Sequence, residues 1–271
     1  MCRILTVQDI SCVGQCSITV ALPIVSAFGI ETSILPGAVL STHTGGFKGF
    51  TFRDLTEDMQ PIYSHWEKEK IDFDAIYTGY LGNAKQVDCI LEMTKKVLKK
   101  GGKLIVDPAM ADYGKLYVGF DLAFVEEMKR LCACADYVLP NISEASFLLH
   151  KSYIAEGYNK KYVEEICSEL CALGAKNVVL TGVSFEKDKL GVAVFDGKTM
   201  QYYFNKREPR NSHGTGDVFA SAFTGALLTG STAYEAAAFA ADFTVKSIQE
   251  TPPDHVYGVR FEKAIPLIFS R

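Results

Sequence analysis

A threonine between two glycines, followed at once by an aspartate, is the part of this sequence best suited to chemistry. The segment is Gly214-Thr215-Gly216-Asp217, and the small and apolar residues after it predict a helix that begins at Thr215. The first amide groups of a helix lie at the positive end of its dipole and attract anions, and glycine lets a phosphate approach the backbone closely. Asp217, in the first turn, could then accept a proton from an attacking hydroxyl. The segment therefore suggests phosphoryl transfer to an alcohol.

The same four residues have a simpler interpretation. Thr and Asp are both common at helix N-termini, where they cap the first amide groups. Polar residues elsewhere in the chain must decide between an ordinary helix cap and an anion site, because a short motif alone has a real false-positive risk.

The elements that must position this segment alternate between short β-branched runs and helical patterns. Strands are predicted at residues 4–7, 32–39, 75–77, 103–106, 137–139 and 178–180, with helices between them and a last helix at Phe261–Phe269. Asp196-Gly197-Lys198, between two apolar runs, predicts a β-hairpin. This order favours an α/β fold with a central, mostly parallel sheet and helices on both faces. A length of 271 residues without a visible linker or repeat predicts a single domain, residues 1–271.

Polar residues follow the predicted strands. In open α/β sheets, ligands bind beyond the carboxyl ends of the strands, so these residues should share one crevice. They are Gln8-Asp9, Thr78-Gly79-Tyr80, Asp107-Pro108, Pro140-Asn141 and Thr181-Gly182.

Asp107 and Glu144 are candidates to hold Mg²⁺, in part through water molecules. Each candidate has an alternative interpretation. Asp107 before Pro108 could be a strand-end turn, and Thr181-Gly182 could also be only a turn. Asn141 and Glu144 are three residues apart, which is the spacing of a capping box.

The bulk properties exclude several classes of protein. A formal net charge of −4 and an isoelectric point near 5.8 give no electrostatic signature for nucleic acid or an anionic membrane. The sequence shows no apolar run of membrane-spanning length and no secretory signal, so we expect a cytoplasmic protein with reduced cysteines. Neither of the common nucleotide signatures, G-x-G-x-x-G after a strand or G-x-x-x-x-G-K-[ST], occurs.

Taken together and in order, the motifs resemble the ribokinase superfamily. They are Thr78-Gly79-Tyr80-Leu81-Gly82, Val106-Asp107-Pro108-Ala109-Met110-Ala111-Asp112, Pro140-Asn141-Ile142-Ser143-Glu144-Ala145, Thr181-Gly182 and Gly214-Thr215-Gly216-Asp217. Val7-Gln8-Asp9, His43-Thr44-Gly45 and Gly114-Lys115-Leu116-Tyr117 resemble the pyridoxal kinase branch. The resemblance implies the three-layer ribokinase-like fold and an ATP-dependent kinase that phosphorylates the 5′-hydroxymethyl group of B6 vitamers.

The resemblance also implies roles for individual residues. Asp217 would deprotonate the hydroxyl, and the amides of Gly214, Thr215 and Gly216 would stabilise charge on the transferring phosphoryl group. Asp107 and Glu144 would organise Mg²⁺, and Asn141, Thr181 and Gly182 would lie along ATP. Members of the family are commonly homodimers and often respond to a monovalent cation such as K⁺.

The positions that bind the substrate in the family also match this sequence, with one exception. Thr44 and Tyr80 match positions that contact the vitamer, and a tyrosine ring can cover a flat heteroaromatic face. Asp9 stands where pyridoxal kinases usually have serine, near the pyridine nitrogen. A carboxylate there should favour the protonated nitrogen, so we expect an altered vitamer preference, toward pyridoxamine.

Three alternatives stay open. Hydroxymethylpyrimidine kinases of thiamin synthesis are close relatives, although they typically carry cysteine where this chain has Asp217. A sugar or nucleoside kinase fits less well, because Thr44-Gly45 and Tyr80 suit a flat ring. A vitamin-binding protein without catalysis could use the same fold, since fold does not fix function.

Overall fold

One long sheet forms the framework, and a computed structural model describes residues 2–210 and 213–270. Runs such as Val178-Val179-Leu180 favour extended backbone, and they coincide with strands. In chain order the strands are β1 (Arg3–Ser11), β2 (Glu31–Leu40), β3 (Phe52–Asp54), β4 (Phe73–Thr78), β5 (Leu98–Val106), β6 (Ala111–Asp112), β7 (Lys115–Leu116), β8 (Tyr137–Val138), β9 (Val178–Val183), β10 (Lys189–Phe195) and β11 (Met200–Lys206).

Helices connect most of the strands. Several begin where the sequence offers a polar N-cap: Asn83, Asp121 and Asn159 each accept a hydrogen bond from the backbone N–H three residues on. The α-helices are α1 (Ile18–Ala27), α2 (Thr56–Lys68), α3 (Ala84–Val97), α4 (Leu122–Cys132), α5 (Ile142–Leu148), α6 (Lys160–Ala172), α7 (Thr215–Leu228), α8 (Ala233–Gln249) and α9 (Pro266–Phe269).

The sheet is mostly parallel. Among the described residues, nine strands pair in the order β11-β10-β9-β8-β5-β4-β1-β2-β3. The six strands from β9 to β2 in this order are parallel, while β10, β11 and β3 run antiparallel to their neighbours. The hairpin predicted at Asp196-Gly197-Lys198 is confirmed as β10 and β11. Because parallel strands end at the same edge, the carboxyl ends of β1, β4, β5, β8 and β9 meet there.

Helices cover both faces of this sheet. One apolar layer, which includes Tyr63 and Met93, packs beneath α2 to α6. The other layer, which includes Tyr77, Phe223 and Phe243, packs beneath α1, α7 and α8. Burial of one such large side chain contributes about 1.5–3 kcal/mol, so the two layers hold the helices firmly to the sheet. The predicted three-layer α/β arrangement is confirmed.

The predicted helix at Phe261–Phe269 is wrong as one element. A 3₁₀-helix spans Phe261–Lys263, and α9 begins separately at Pro266. Proline has no N–H for an intrahelical hydrogen bond, so it starts a helix more easily than it continues one. Across the described ranges 2–210 and 213–270, no helix combines the length and apolar character needed to cross a membrane.

Candidate active site

The N-terminus of α7 lies where the sequence predicts it. The helix begins at Thr215, and its N-cap is Gly214, with a left-handed φ of 78°. A Cβ atom at Gly214 would lie 2.1 Å from the main-chain oxygen of Gln15, so the position requires glycine. The N-cap residue is therefore neither Thr nor Asp and has no side chain for a capping hydrogen bond, although Asp217 does lie in the first turn, as the simpler interpretation also expects. Asn211 and Ser212, which precede the motif, lie outside the described residues.

Asp217 is half-buried in the first turn of α7. Burial raises the pKa of its carboxyl group to about 8; the charges of Asp107 and Asp9 add to this, and a hydrogen bond from the backbone N–H of Ser17 opposes it. The main-chain oxygen of Asp217 accepts a hydrogen bond from Ser221 Oγ at 2.6 Å, which ties the first turn to the next. A carboxyl group whose pKa lies near neutral pH is suited to general-base catalysis.

Asp9 lies near the carboxyl end of β1 and is only 5% exposed. Ser11 Oγ donates a hydrogen bond to its Oδ2 atom at 3.0 Å. Burial raises the pKa of the Asp9 carboxyl group, although hydrogen bonds from the Ser17 and Ser11 side chains lower it. Besides burial, the charge of Asp9 raises the pKa of both Asp217 and Tyr80. Asp9 is therefore within electrostatic reach of the predicted base and of a predicted substrate residue.

Asp107 directly follows β5 and is buried at the same edge of the sheet. The backbone N–H of Ala109 donates a hydrogen bond to Asp107 Oδ1 at 3.1 Å. Burial raises the pKa of Asp107 well above its ordinary value, and the negative charge of Glu144 raises it further. Two carboxyl groups that repel each other in a buried place would be stabilised by a cation between them.

Glu144 takes part in a capping box at the start of α5. Asn141 Oδ1 accepts the Glu144 N–H at 2.9 Å, and Glu144 Oε2 accepts the Asn141 N–H at 2.8 Å. Glu144 Oε1 also accepts the Met110 N–H at 3.0 Å. Burial raises the pKa of Glu144 to about 7, despite these backbone hydrogen bonds. The capping interpretation is confirmed, and it leaves Glu144 beside Asp107.

Thr181 and Gly182 lie at the same sheet edge as Asn141. The Thr181 N–H donates to the Pro140 carbonyl at 2.9 Å, and Asn141 and Thr181 form a parallel bridge. Gly182 has a left-handed φ of 74°, and its carbonyl accepts a hydrogen bond from the Tyr158 hydroxyl at 3.3 Å. β9 continues to Val183, so Thr181 and Gly182 lie near the end of this strand and do not form a separate turn.

Thr44 is exposed in the loop after β2. The Gly45 N–H donates to His43 Nδ1 at 3.1 Å, so His43 shapes this loop. A Cβ atom on Gly45 would lie 2.8 Å from His213 Nδ1, and the rings of His43 and His213 are 5.9 Å apart. The loop that carries Thr44 is therefore packed against the residue that precedes Gly214.

Tyr80 follows β4 and is half-buried. Its ring lies 5.4 Å from that of Phe120 at a tilt of 30°, and Phe120 is stacked on Phe124 at 4.1 Å. An aromatic face within reach of the buried Asp9 carboxyl group suits a flat ring that carries positive charge.

A family model described as phosphomethylpyrimidine kinase matches residues 64–258. The chain belongs to this family. The match includes the base candidate and the residues assigned to ATP and Mg²⁺, but it begins after Asp9 and Thr44. The resemblance to the ribokinase superfamily and the assignment as a phosphotransferase are confirmed.

The similar proteins are named either as hydroxymethylpyrimidine or phosphomethylpyrimidine kinases or as pyridoxal kinases. A hydroxymethylpyrimidine/phosphomethylpyrimidine kinase of Bacillus subtilis (strain 168) is 31% identical over 79% of this chain and 77% of its own length. A provisionally assigned phosphomethylpyrimidine kinase from Bacteroides thetaiotaomicron VPI-5482, crystallised with pyridoxal, is 33% identical with a TM-score of 0.93, over 99% of this chain and 96% of that one. Pyridoxal kinase from Lactobacillus plantarum is 30% identical with a TM-score of 0.91, over 100% and 97% of the two chains.

Two more matches are less complete: one relative is about twice as long as the matched region, and the other is similar mainly in fold. The chain covers 51% of the length of the thiamine biosynthetic bifunctional enzyme TH1 of Arabidopsis thaliana, at 26% identity over 95% of this chain. Pyridoxal kinase from Staphylococcus aureus in complex with AMP-PCP is 19% identical with a TM-score of 0.81, over 97% and 94% of the chains, and shares the fold.

The carboxyl groups of Asp107 and Glu144 fit a magnesium ion only as a site with few protein ligands. Within the part of the chain that the structure describes, no group of three or more His, Cys, Asp or Glu side chains is arranged to hold a metal ion. Mg²⁺ usually keeps several water ligands and uses one or two protein carboxylates. The buried, mutually repelling pair of Asp107 and Glu144 is consistent with that use.

Sequence reasoning gave no role to Ser17 or Tyr117. Ser17 has an unusual positive φ of 53° beside the base, a property of the backbone that no sequence motif signals. Tyr117 lies close to the predicted metal residues, because its N–H donates to the Met110 carbonyl at 2.8 Å and the Met110 N–H donates to Glu144 Oε1 at 3.0 Å. Its place in Gly114-Lys115-Leu116-Tyr117 was the one available signal.

Proposed function

We propose that the chain is an ATP-dependent kinase that phosphorylates the 5′-hydroxymethyl group of a B6 vitamer: pyridoxal, pyridoxamine or pyridoxine. The observation that carries this proposal is Asp217, half-buried in the first turn of α7, with a pKa raised to about 8 directly after Gly214-Thr215-Gly216. A base with such a pKa can accept the hydroxyl proton near neutral pH. The helix N-terminus beside it can stabilise charge on the phosphoryl group as it transfers.

The phosphate donor would lie along the edge formed by β8 and β9. Asn141 and Thr181 form a parallel bridge there. Gly182 follows, and no atom lies within 4 Å of the place where a Cβ atom would be, so the space beside it is open. The amides of Gly214, Thr215 and Gly216 would meet the far end of the same ligand. The AMP-PCP complex of the more distant pyridoxal kinase supports ATP as the donor.

Asp107 and Glu144 would hold Mg²⁺, together with water. When bound, the ion would neutralise charge on the phosphates of ATP. The family resemblance extends the proposal to a K⁺-responsive homodimer in the cytoplasm. Activity with and without K⁺ tests the response to the cation, and the molar mass in solution tests the homodimer.

The acceptor would lie between Asp9, Thr44 and Tyr80. Tyr80 offers an aromatic face, and Asp9 offers a buried carboxyl group whose hydrogen-bond donors are serine side chains. A protonated pyridine nitrogen would compensate the Asp9 charge, which is why a preference among vitamers, toward pyridoxamine, belongs to this proposal. Pyridoxal in the Bacteroides structure, at 33% identity, supports a B6 vitamer as the acceptor.

A hydroxymethylpyrimidine kinase is the second candidate. It is favoured by the family description and by the Bacillus relative at 31% identity. Against it stands Asp217, because such enzymes typically carry cysteine at this position. A vitamin-binding protein without catalysis is a third outcome, in which Asp217 would have no task.

The test is a turnover assay on the purified protein with Mg-ATP. The acceptors are the three B6 vitamers, hydroxymethylpyrimidine and a panel of sugars, and Asp217→Asn is the control. We expect turnover of at least one vitamer above all other acceptors, lost in the variant. Turnover of hydroxymethylpyrimidine far above every vitamer would assign the second candidate. Vitamer binding without turnover, equal in both proteins, would assign the third.

A further inference from the structure

Gln86 is a fully buried polar residue on the inner face of α3. The other buried residues of this helix are apolar: Val87, Ile90, Met93 and Val97. Burial of an amide group is unfavourable unless its donors and its acceptor find hydrogen-bond partners, so an apolar residue would suit this face better. A glutamine at this position therefore indicates a task for its amide group.

The amide group of Gln86 makes three hydrogen bonds. Its Oε1 atom accepts the Gly82 N–H at 2.8 Å. Its Nε2 atom donates to the Gly37 carbonyl at 2.9 Å and to Thr56 Oγ1 at 3.0 Å. Because a glutamine amide carries two N–H bonds, both of its donors are occupied. One side chain thus joins the loop after β4, the strand β2 and the start of α2.

The hydrogen bond to Gly82 holds the loop that carries Tyr80. Tyr80 follows β4, and Gly82 lies just after it, directly before the N-cap of α3. On the other side of Tyr80, a Cβ atom at Gly79 would lie 2.8 Å from the Gln8 side chain, so Gly79 packs closely against β1. The loop is therefore held both before and after Tyr80.

The hydrogen bond to Gly37 holds the part of β2 that lies beside Asp9. The pairing of β1 with β2 shifts register at this point, and two residues of β2, Gly37 and Ala38, lie opposite Asp9 alone. Such a bulge changes the direction of the side chains around it and is common beside active sites. A Cβ atom at Gly37 would lie 2.7 Å from Gln86 Oε1, so the bulge and the Gln86 amide are in close contact.

We propose that Gln86 is a positioning residue of the acceptor site, whose side chain holds the bulge opposite Asp9 and the loop of Tyr80 in a fixed relation. This inference rests on the proposed function, because it takes Asp9 and Tyr80 as contacts of the acceptor. It explains why α3 carries an amide on a buried face that is otherwise apolar.

Gln86→Met is the main variant, because methionine fills a similar space and carries no amide. It leaves the Gly82 N–H without its partner and releases the Gly37 carbonyl from α3. We expect KM for the best acceptor to rise about tenfold and KM for ATP to change less than about twofold, because only the acceptor side loses its geometry. Thermal unfolding of each variant checks that it is folded.

Gly37→Ala tests the same link from the side of the bulge and keeps glutamine at position 86. Its Cβ atom displaces the end of a flexible side chain, so the protein should fold and KM for the acceptor should again rise. Thr56→Val is the matched control. It removes a hydroxyl that both Gln86 and Asn83 contact but keeps the bonds of Gln86 to Gly37 and Gly82, so both KM values should stay within about twofold.

KM is measured with the acceptor that the wild type uses best. Folded Gln86→Met and Gly37→Ala proteins with an unchanged KM for this acceptor would overturn the proposal, even with a lower Tm, because Gln86 would then serve stability alone. An equal rise in KM for ATP, or the same rise in Thr56→Val, would also overturn it. A wild type that turns over none of the three vitamers would instead refute the proposed function, so the two failures can be told apart.

Discussion

Replacement of Asp217 by asparagine should make the protein less active and more stable at the same time. Asparagine has nearly the same shape but carries no charge and cannot act as a base. Loss of a general base typically lowers the rate about 10²–10⁴-fold, so we expect a fall of that size in kcat with the best acceptor. Substrate affinity should change little, because the side chain keeps its volume.

The stability gain follows from burial of the carboxyl group. Its pKa is raised from 3.8 to about 8, so the folded protein binds more protons than the unfolded chain between these two values. Stability therefore falls as the pH rises through this window. At about 1.4 kcal/mol per pH unit, the raised pKa lowers the free energy of unfolding at pH 7 by at most about 4 kcal/mol. Since Asp217 is half-buried and partly solvated, we expect about 1–2 kcal/mol, or roughly 2–8 °C in Tm for a chain of this size.

The assay is thermal unfolding of wild type and variant from pH 4 to pH 8.5, without Mg²⁺ or ligands, which would compensate the charge. The advantage of Asp217→Asn should be largest above pH 8 and should become small toward pH 4, close to the ordinary pKa of 3.8 that the carboxyl group has in the unfolded chain. Asp188→Asn, at an exposed aspartate in the loop after β9, is the control and should show no such trend. A variant that is less stable than the wild type at pH 8, or equally favoured at every pH, would refute the reasoning.

Three further substitutions test other parts of the site. Asp9→Ser should change the relative kcat/KM values for the three vitamers by about tenfold, equivalent to about 1.4 kcal/mol; unchanged ratios would dismiss the pairing with the ring nitrogen. Tyr80→Leu removes an aromatic face worth about 0.5–1.5 kcal/mol, so KM for the vitamer should rise several-fold while KM for ATP stays the same. Asn141→Ala removes the N-cap side chain of α5, so the free energy of unfolding should fall by about 1 kcal/mol and KM for ATP should rise. Urea titration measures the first effect and steady-state kinetics the second. A change in stability with KM for ATP unchanged would show that Asn141 does not contact the nucleotide.

The sequence was most informative where local chemistry decides the structure. The start of α7 at Thr215, the hairpin at Asp196-Gly197-Lys198 and the capping box of Asn141 with Glu144 all follow from residue types at short spacing. The predicted strand ends also indicated which residues lie at one edge of the sheet, because parallel strands finish at the same edge; that these residues line one crevice stays a prediction.

Features set by tertiary contacts were beyond the sequence. The short strands β3 and β6 exist only through pairing with β2 and β7, and their two or three residues carry no periodic pattern. Ser17 has a positive φ, and it follows Gln15, whose carbonyl packs closely against Gly214 from a distant part of the chain. No propensity for serine at a helix start indicates such a conformation.

Under the proposed function, the choice of acceptor would depend on Asp9, Thr44 and Tyr80, and of these the family match covers only Tyr80. The family match at residues 64–258 contains Asp217, Asp107 and the residues assigned to ATP. Asp9 and Thr44 lie before that range, on β1 and on the loop after β2. The charge of Asp9 raises the pKa of Asp217, so the identity of residue 9 affects how readily the proposed base ionises. A cationic ring would reduce both the cost of burying the Asp9 charge and the repulsion between Asp9 and Asp217, whereas a neutral ring would leave the two carboxylates repelling each other. For this reason we expect a protonatable heteroaromatic alcohol to be a better acceptor than a sugar.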